Sequence, residues 1–130
     1  MSMELSCLAW SVILGLVHIL AAGNARTFEL GAKWNMGARD ADPAQLSPLT
    51  GRLLRAQSNF FETFPLFATA VLMVVMTNNL SIYSYWGAIL YLAARVIYLP
   101  LYAFGIPVVR SIIWLVSICG LLMVLLPIMF

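Results

Sequence analysis

Four long apolar runs, broken by short polar connections, constrain this chain more than any other feature. A bilayer hydrocarbon core about 30 Å thick needs roughly 20 apolar residues per spanning helix. Four such helices nearly exhaust 130 residues, which leaves no length for a soluble second domain. The chain is 63% hydrophobic and only 9% charged, where a soluble domain carries about 25% charged residues. Its mean hydropathy is +0.97. Lipid must therefore be its main solvent. The expected fold is an all-α integral membrane protein, a single four-transmembrane-helix bundle over residues 1–130. A net charge of +2 is too small to mark a nucleic-acid partner. Cys7 and Cys119 lie in apolar runs, and no CxxC or Cys/His cluster accompanies them. They read as small core residues, and no metal site is expected.

The spacing predicts helices over about 4–25, 50–78, 82–103 and 107–129. The first lacks a basic leader and an A-x-A exit, so it reads as a retained helix rather than a signal peptide. The polar connection after it holds Arg26, Glu29, Lys33, Arg39, Asp40, Asp42 and Arg52, and Pro43 and Pro48 mark part of it as irregular loop. Pro107 suits the first turn of the last helix, where its missing N–H is no loss. Pro65 and Pro100 fall inside helices, which membrane proteins tolerate. Basic residues gather around the first connection, with Arg110 beside the third. The positive-inside rule then sets those connections in the cytoplasm and both termini outside. That orientation fits a bacterial inner membrane, with Trp10, Tyr83, Tyr85 and Trp86 as the outer aromatic belt.

Ionisable residues inside membrane helices cost roughly 2.5–3.5 kcal/mol each on insertion scales and mark functional sites. Here they are ordered. Arg52, Arg55, Asn59 and Glu62 follow i, i+3, i+7, i+10 spacing and share one face of the second membrane helix. Arg95, Tyr98 and Tyr102 share one face of the third. At about 1.5 Å per residue, Glu62 lies about 24 Å from the outer end of its helix and Arg95 about 20 Å from the outer end of its own. An ion pair between them is one expectation. Arg110 and Ser111 enter the first turn of the fourth helix, where free backbone N–H groups add partial positive charge. The set forms a polar ring with more cations than anions. It suits an anionic, hydrogen-bonding ligand such as a peptide with two carboxylates, because arginine binds carboxylates through a planar fork. A thiol held there would be shifted toward its thiolate. The structural alternative is that Arg95 and Glu62 only tie helices together, that Lys33 and Arg39 are topology signals, and that Tyr98 and Tyr102 are interfacial aromatics. His18, alone among apolar residues, is expected to be packed and hydrogen-bonded. Gly15 and Gly23, with Ala21 and Ala22, are expected to let helices approach closely.

The stretch Arg52-Leu-Leu-Arg55-Ala-Gln-Ser-Asn59-Phe-Phe-Glu62-Thr-Phe-Pro65 resembles the R-A-x-x-N-x-x-E segment of the MAPEG family, the membrane-associated proteins in eicosanoid and glutathione metabolism. Ala94-Arg95-Val-Ile-Tyr98-Leu-Pro-Leu-Tyr102, followed by Arg110-Ser111, resembles that family's third and fourth helices. The resemblance implies a homotrimer with glutathione, as co-substrate, between protomers near the cytoplasmic face. By matching position it implies that Arg55, Asn59, Glu62, Tyr98 and Tyr102 hold glutathione, and that Arg95 binds it or supports them. It also implies that Arg110 stabilises the thiolate beside Ser111, and that Arg26 reaches the site across a subunit boundary. Ser58 replaces a basic residue of several eicosanoid-synthesising relatives and Trp114 replaces a Tyr of some. The Gly37-Ala-Arg39-Asp40 segment looks like bacterial members. The implied activity is a glutathione-dependent transferase or peroxidase acting on a lipophilic small molecule delivered from the bilayer. Two rivals remain open: a non-catalytic membrane subunit of the same fold, and a small four-helix transporter. The transporter reading lacks an acidic residue midway along the first helix.

Overall fold

The computed structural model describes residues 1–38 and 46–130. Five helices follow in order: α1 (Met3–Leu30), α2 (Ala32–Met36), α3 (Pro48–Met76), α4 (Ile82–Ala103) and α5 (Pro107–Met129). All but α2 are long and apolar enough to cross a membrane. Arg39, Asp40, Asp42 and Pro43, expected in an irregular loop, lie outside the described residues.

The helix ends have local causes. The Ser2 side chain caps α1 by accepting from the Leu5 N–H. Ser47 caps α3 by accepting from Thr50, and Pro48 takes the first helical position rather than breaking the connection. Ser81 and Ser84 form a capping box on α4. Gly105, at φ +72°, turns the chain between α4 and α5, in the left-handed region that glycine enters without strain.

At about 1.5 Å per residue, α1 and α3 are each about 42 Å long and α4 and α5 about 34 Å. Only the shorter pair matches a hydrocarbon core of about 30 Å. The surplus on α1 and α3 falls at one end of the bundle, where both carry polar residues. Helix α1 runs to Leu30, beyond the expected boundary near residue 25. The Glu29 carboxylate accepts from the Ser47 N–H at 3.0 Å and the Thr50 hydroxyl at 2.8 Å. This ties the last turn of α1 to the first turn of α3, a contact across about twenty residues of sequence.

The apolar core joins α1, α3, α4 and α5 through Cys7, Phe67, Val71, Val74, Tyr91 and Val124. Phe67 and Tyr91 stack with ring centroids 4.0 Å apart, and Tyr91 shares a buried 2.9 Å hydrogen bond with Thr63. The closest helix approach is not at Gly15 or Gly23. A Cβ on Gly87 would lie 2.6 Å from the Gly120 carbonyl oxygen, and one on Gly120 would lie 2.7 Å from that of Gly87. These two glycines form the α4–α5 seam. Gly15 faces the Phe60 and Phe61 rings, and Gly23 meets nothing within 4 Å. At the far end, Glu4 is 3% exposed and its carboxylate accepts from the Ser84 hydroxyl. That bond pins the start of α1 to the start of α4.

Candidate functional site

The polar end of the bundle holds two neighbouring clefts that share Tyr102 and Arg110. One, of about 210 Å³, is lined by Asn59, Tyr98, Tyr102, Arg110, Ser111 and Trp114. The other, of about 250 Å³, adds Arg52, Arg55, Gly105 and Pro107. Helix α3 supplies Asn59 and the two arginines, α4 supplies the tyrosines, and the first two turns of α5 supply Arg110, Ser111 and Trp114.

Aromatic faces and two hydrogen bonds hold the cations. Arg110 Cζ sits 4.7 Å from the centroid of Tyr102, and Arg95 Cζ sits 4.4 Å from that of Tyr98, both cation–π distances. Tyr98 and Tyr102 meet edge to face at 5.6 Å. Arg95 Nη1 donates to Asn59 Oδ1 at 3.0 Å. With its oxygen committed, Asn59 is left with its amide N–H groups for any ligand. Arg52 Nε donates to the Ala103 carbonyl at 2.9 Å. It thus takes up a carbonyl at the end of α4 that has no intrahelical partner.

Seven of the sequence-derived residues therefore line the joined clefts: Arg52, Arg55, Asn59, Tyr98, Tyr102, Arg110 and Ser111. Arg95 lies beneath them, fully buried. The expected Arg95–Glu62 pairing is not made. Arg95 turns to Asn59, while Glu62, one helical turn further along α3, is exposed. Arg26 lies apart, in a cleft of about 330 Å³ with Asn24, Thr27 and Gln57. Trp114 also lines the smaller cleft, although it belongs to neither polar row. Its spacing of i+4 from Arg110 was the available signal. His18 was expected to be hydrogen-bonded, yet neither ring nitrogen has a partner among the described residues. The ring instead stacks on Phe60 at 4.9 Å.

The clefts present guanidinium, hydroxyl and amide donors, with aromatic faces and an open helix N-terminus. Such a lining receives an acceptor-rich anion. Among the described residues no group of three His, Cys, Asp or Glu is placed to hold a metal ion.

Four membrane-crossing helices define a multi-pass integral membrane protein, with a donor-lined cleft at one end. The MAPEG family model matches residues 7–130, and the chain belongs to that family. It is thus a membrane protein of the glutathione and eicosanoid metabolism family. No curated protein and no solved structure matches the chain.

Proposed function

We propose that this protein is a glutathione-dependent membrane transferase or peroxidase acting on a small lipophilic electrophile. The observation that carries the reading is Arg110, held over Tyr102 in the first turn of α5, in one cleft with Asn59, Tyr98 and Ser111. Arg55 fits a carboxylate of glutathione, and exposed Glu62 fits its ammonium. The donor surplus of the lining fits that tripeptide, whose carboxylates and amide carbonyls accept. Arg110 and the α5 N-terminus favour the thiolate over the thiol. Ser111 lies beside it, its hydroxyl resting on the Pro107 carbonyl at 3.4 Å until a ligand offers a better acceptor.

In the transferase step the thiolate attacks an electrophilic carbon of a co-substrate arriving from the bilayer. A carbon–sulfur bond forms, and the leaving group departs with its bonding electron pair. Arg26 faces away from these clefts in its own chain, which suits a homotrimer in which each Arg26 serves a neighbouring copy. The basic end of the bundle is assigned to the cytoplasm of a bacterial cell by the positive-inside rule, with both termini across the inner membrane.

The test is glutathione binding by the purified full-length protein, read with the near-ultraviolet thiolate absorbance at neutral pH. Binding with thiolate absorbance that Arg110→Ala abolishes supports the reading. No binding at millimolar glutathione ends it. Binding without turnover of a chlorodinitrobenzene electrophile points to a non-catalytic subunit.

A further inference from the structure

The centre of the bundle holds two polar side chains with unused hydrogen-bonding groups. His18, near the middle of α1, is 1% exposed, and both ring nitrogens are buried without a partner. Arg95, on α4, is 0% exposed. Its Nη1 is committed to Asn59, but Nε and Nη2 are buried without a partner. Both side chains lie against one ring: His18 stacks on Phe60 at 4.9 Å, and Arg95 Cζ is 5.5 Å from the same centroid. Helices α1, α3 and α4 pack on one another, and α1, α3 and α4 supply His18, Phe60 and Arg95 respectively.

The open pair on Arg95 is chemically specific. Nε and Nη2 form the side-on edge of a guanidinium, two parallel donors that together fit two acceptor positions. Buried polar groups are nearly always bonded, to protein or to ordered water. A neutral imidazole offers one donor and one acceptor nitrogen. A group between the two must accept from the guanidinium and meet the imidazole, either by accepting from its N–H or by donating to its bare nitrogen. An anion serves only the tautomer that presents its N–H. Water serves either, and buried waters typically take about three hydrogen bonds from such groups.

The geometry points to an internal water site shared by His18 and the open edge of Arg95, which makes His18 a positioning residue for Asn59. Water anchored by His18 fixes the plane of the guanidinium. The fixed plane keeps Nη1 on Asn59 Oδ1, and this leaves the Asn59 amide N–H groups for the ligand in the cleft. His18 thus acts on the site without touching it. The functional half of this inference rests on the glutathione reading; the water half does not.

The experiment uses the full chain in nanodiscs, with nitrogen-15 in its arginines, and the variants His18→Leu, His18→Gln and Arg95→Lys. The Arg95 Nε–H resonance is assigned by its loss in Arg95→Lys. It is expected to show a cross-relaxation peak to long-lived water in the ligand-free protein, lost in His18→Leu and recovered in His18→Gln. Glutathione affinity is expected to fall about three- to tenfold in His18→Leu, the effect of about one hydrogen bond, and to recover in His18→Gln at an equal unfolding midpoint. A peak to the Glu62 side chain or directly to the imidazole overturns the proposal. So does a shift of the resonance on titration with formate, which would reveal an anion, or unchanged glutathione affinity in His18→Leu. If His18→Leu does not fold, an Nε–H of unmodified protein without a water peak overturns it as well. A wild-type chain with the water peak but no glutathione binding overturns the glutathione reading and leaves the water site standing.

Discussion

The two ends of this bundle solve the packing of four apolar helices in opposite ways. Along α4 and α5, Gly87 and Gly120 bring backbones into contact with no side chain between them, and Phe67, Tyr91 and Val124 fill the adjoining core at full burial. At the other end α3, α4 and α5 are separated by long cationic and aromatic side chains around open clefts. In lipid, helices gain little from hydrophobic burial and associate chiefly through close packing and interhelical hydrogen bonds. The seam therefore carries stability, and the polar end gives up close packing for space and charge.

The largest expected effect tests the seam. Gly120→Val places side-chain carbons where the Gly87 oxygen and the Tyr91 nitrogen already lie 2.7 Å from an added Cβ. Backbone atoms cannot move aside as a flexible side chain would, so a loss of about 3 kcal/mol is expected, measured by denaturant titration in detergent. Gly23→Ala is the control. A Cβ there meets nothing within 4 Å, so replacing a helical glycine should stabilise by up to about 1 kcal/mol. Equal effects of the two substitutions would remove the basis for separating the ends.

The second prediction tests the cleft. Arg110→Ala removes the cation over Tyr102 and leaves the α4–α5 seam untouched. Turnover with glutathione should fall about 100-fold, within the range for losing one preorganised electrostatic group, while the unfolding midpoint stays close to that of the unmodified protein. A matching drop in stability would mean that Arg110 holds the bundle together.

How far each end could be read from the sequence follows the same division. The four spanning helices were legible because run length and composition suffice to identify them. The polar rows were legible because i, i+3, i+7 spacing places Asn59 and Arg55, or Tyr98 and Tyr102, on one face. What spacing does not fix is the rotation of one helix against another. Gly87 and Gly120 are ordinary glycines until α4 and α5 are set face to face, while Gly15 and Gly23 gave the same signal without the close approach. The same blindness suggested Glu62 for Arg95 at matched depth, where helix rotation selects Asn59. Glu4 carried no signal along the chain because its partner, Ser84, is eighty residues away. Trp114 was legible only as a substitution for a tyrosine, because its place in the cleft depends on how α5 is rotated against α3 and α4.

The third prediction sharpens the contrast within the polar end. Arg95 is fully buried and has one hydrogen bond to protein. A buried cation is costly to desolvate, and removing this one strands no opposite charge, because its hydrogen-bond partner Asn59 is neutral. Arg95→Met should therefore change stability by less than about 1 kcal/mol in either direction. Freed from Arg95, Asn59 should lose its fixed orientation, with glutathione affinity down about tenfold, the effect of one charged hydrogen bond. A strongly destabilised variant with intact affinity would make Arg95 a structural tie.

The smallest effect lies within the polar end itself. Arg52 lines the outer cleft and also donates from Nε to the Ala103 carbonyl at the end of α4. A cation beside a helix C-terminus is favourable by about 0.3–1 kcal/mol, and its hydrogen bond serves a carbonyl that the helix itself cannot satisfy. Arg52→Ala should cost about 1 kcal/mol, read as faster amide exchange confined to the last turn of α4 and the Gly105 connection. Arg52→Lys keeps the charge but lacks the Nε donor, so it should restore the electrostatic part and leave the local exchange raised. Full recovery by lysine would make charge alone the tie. No recovery would place the hydrogen bond first, with Arg52 belonging to the fold of the polar end more than to its ligand chemistry.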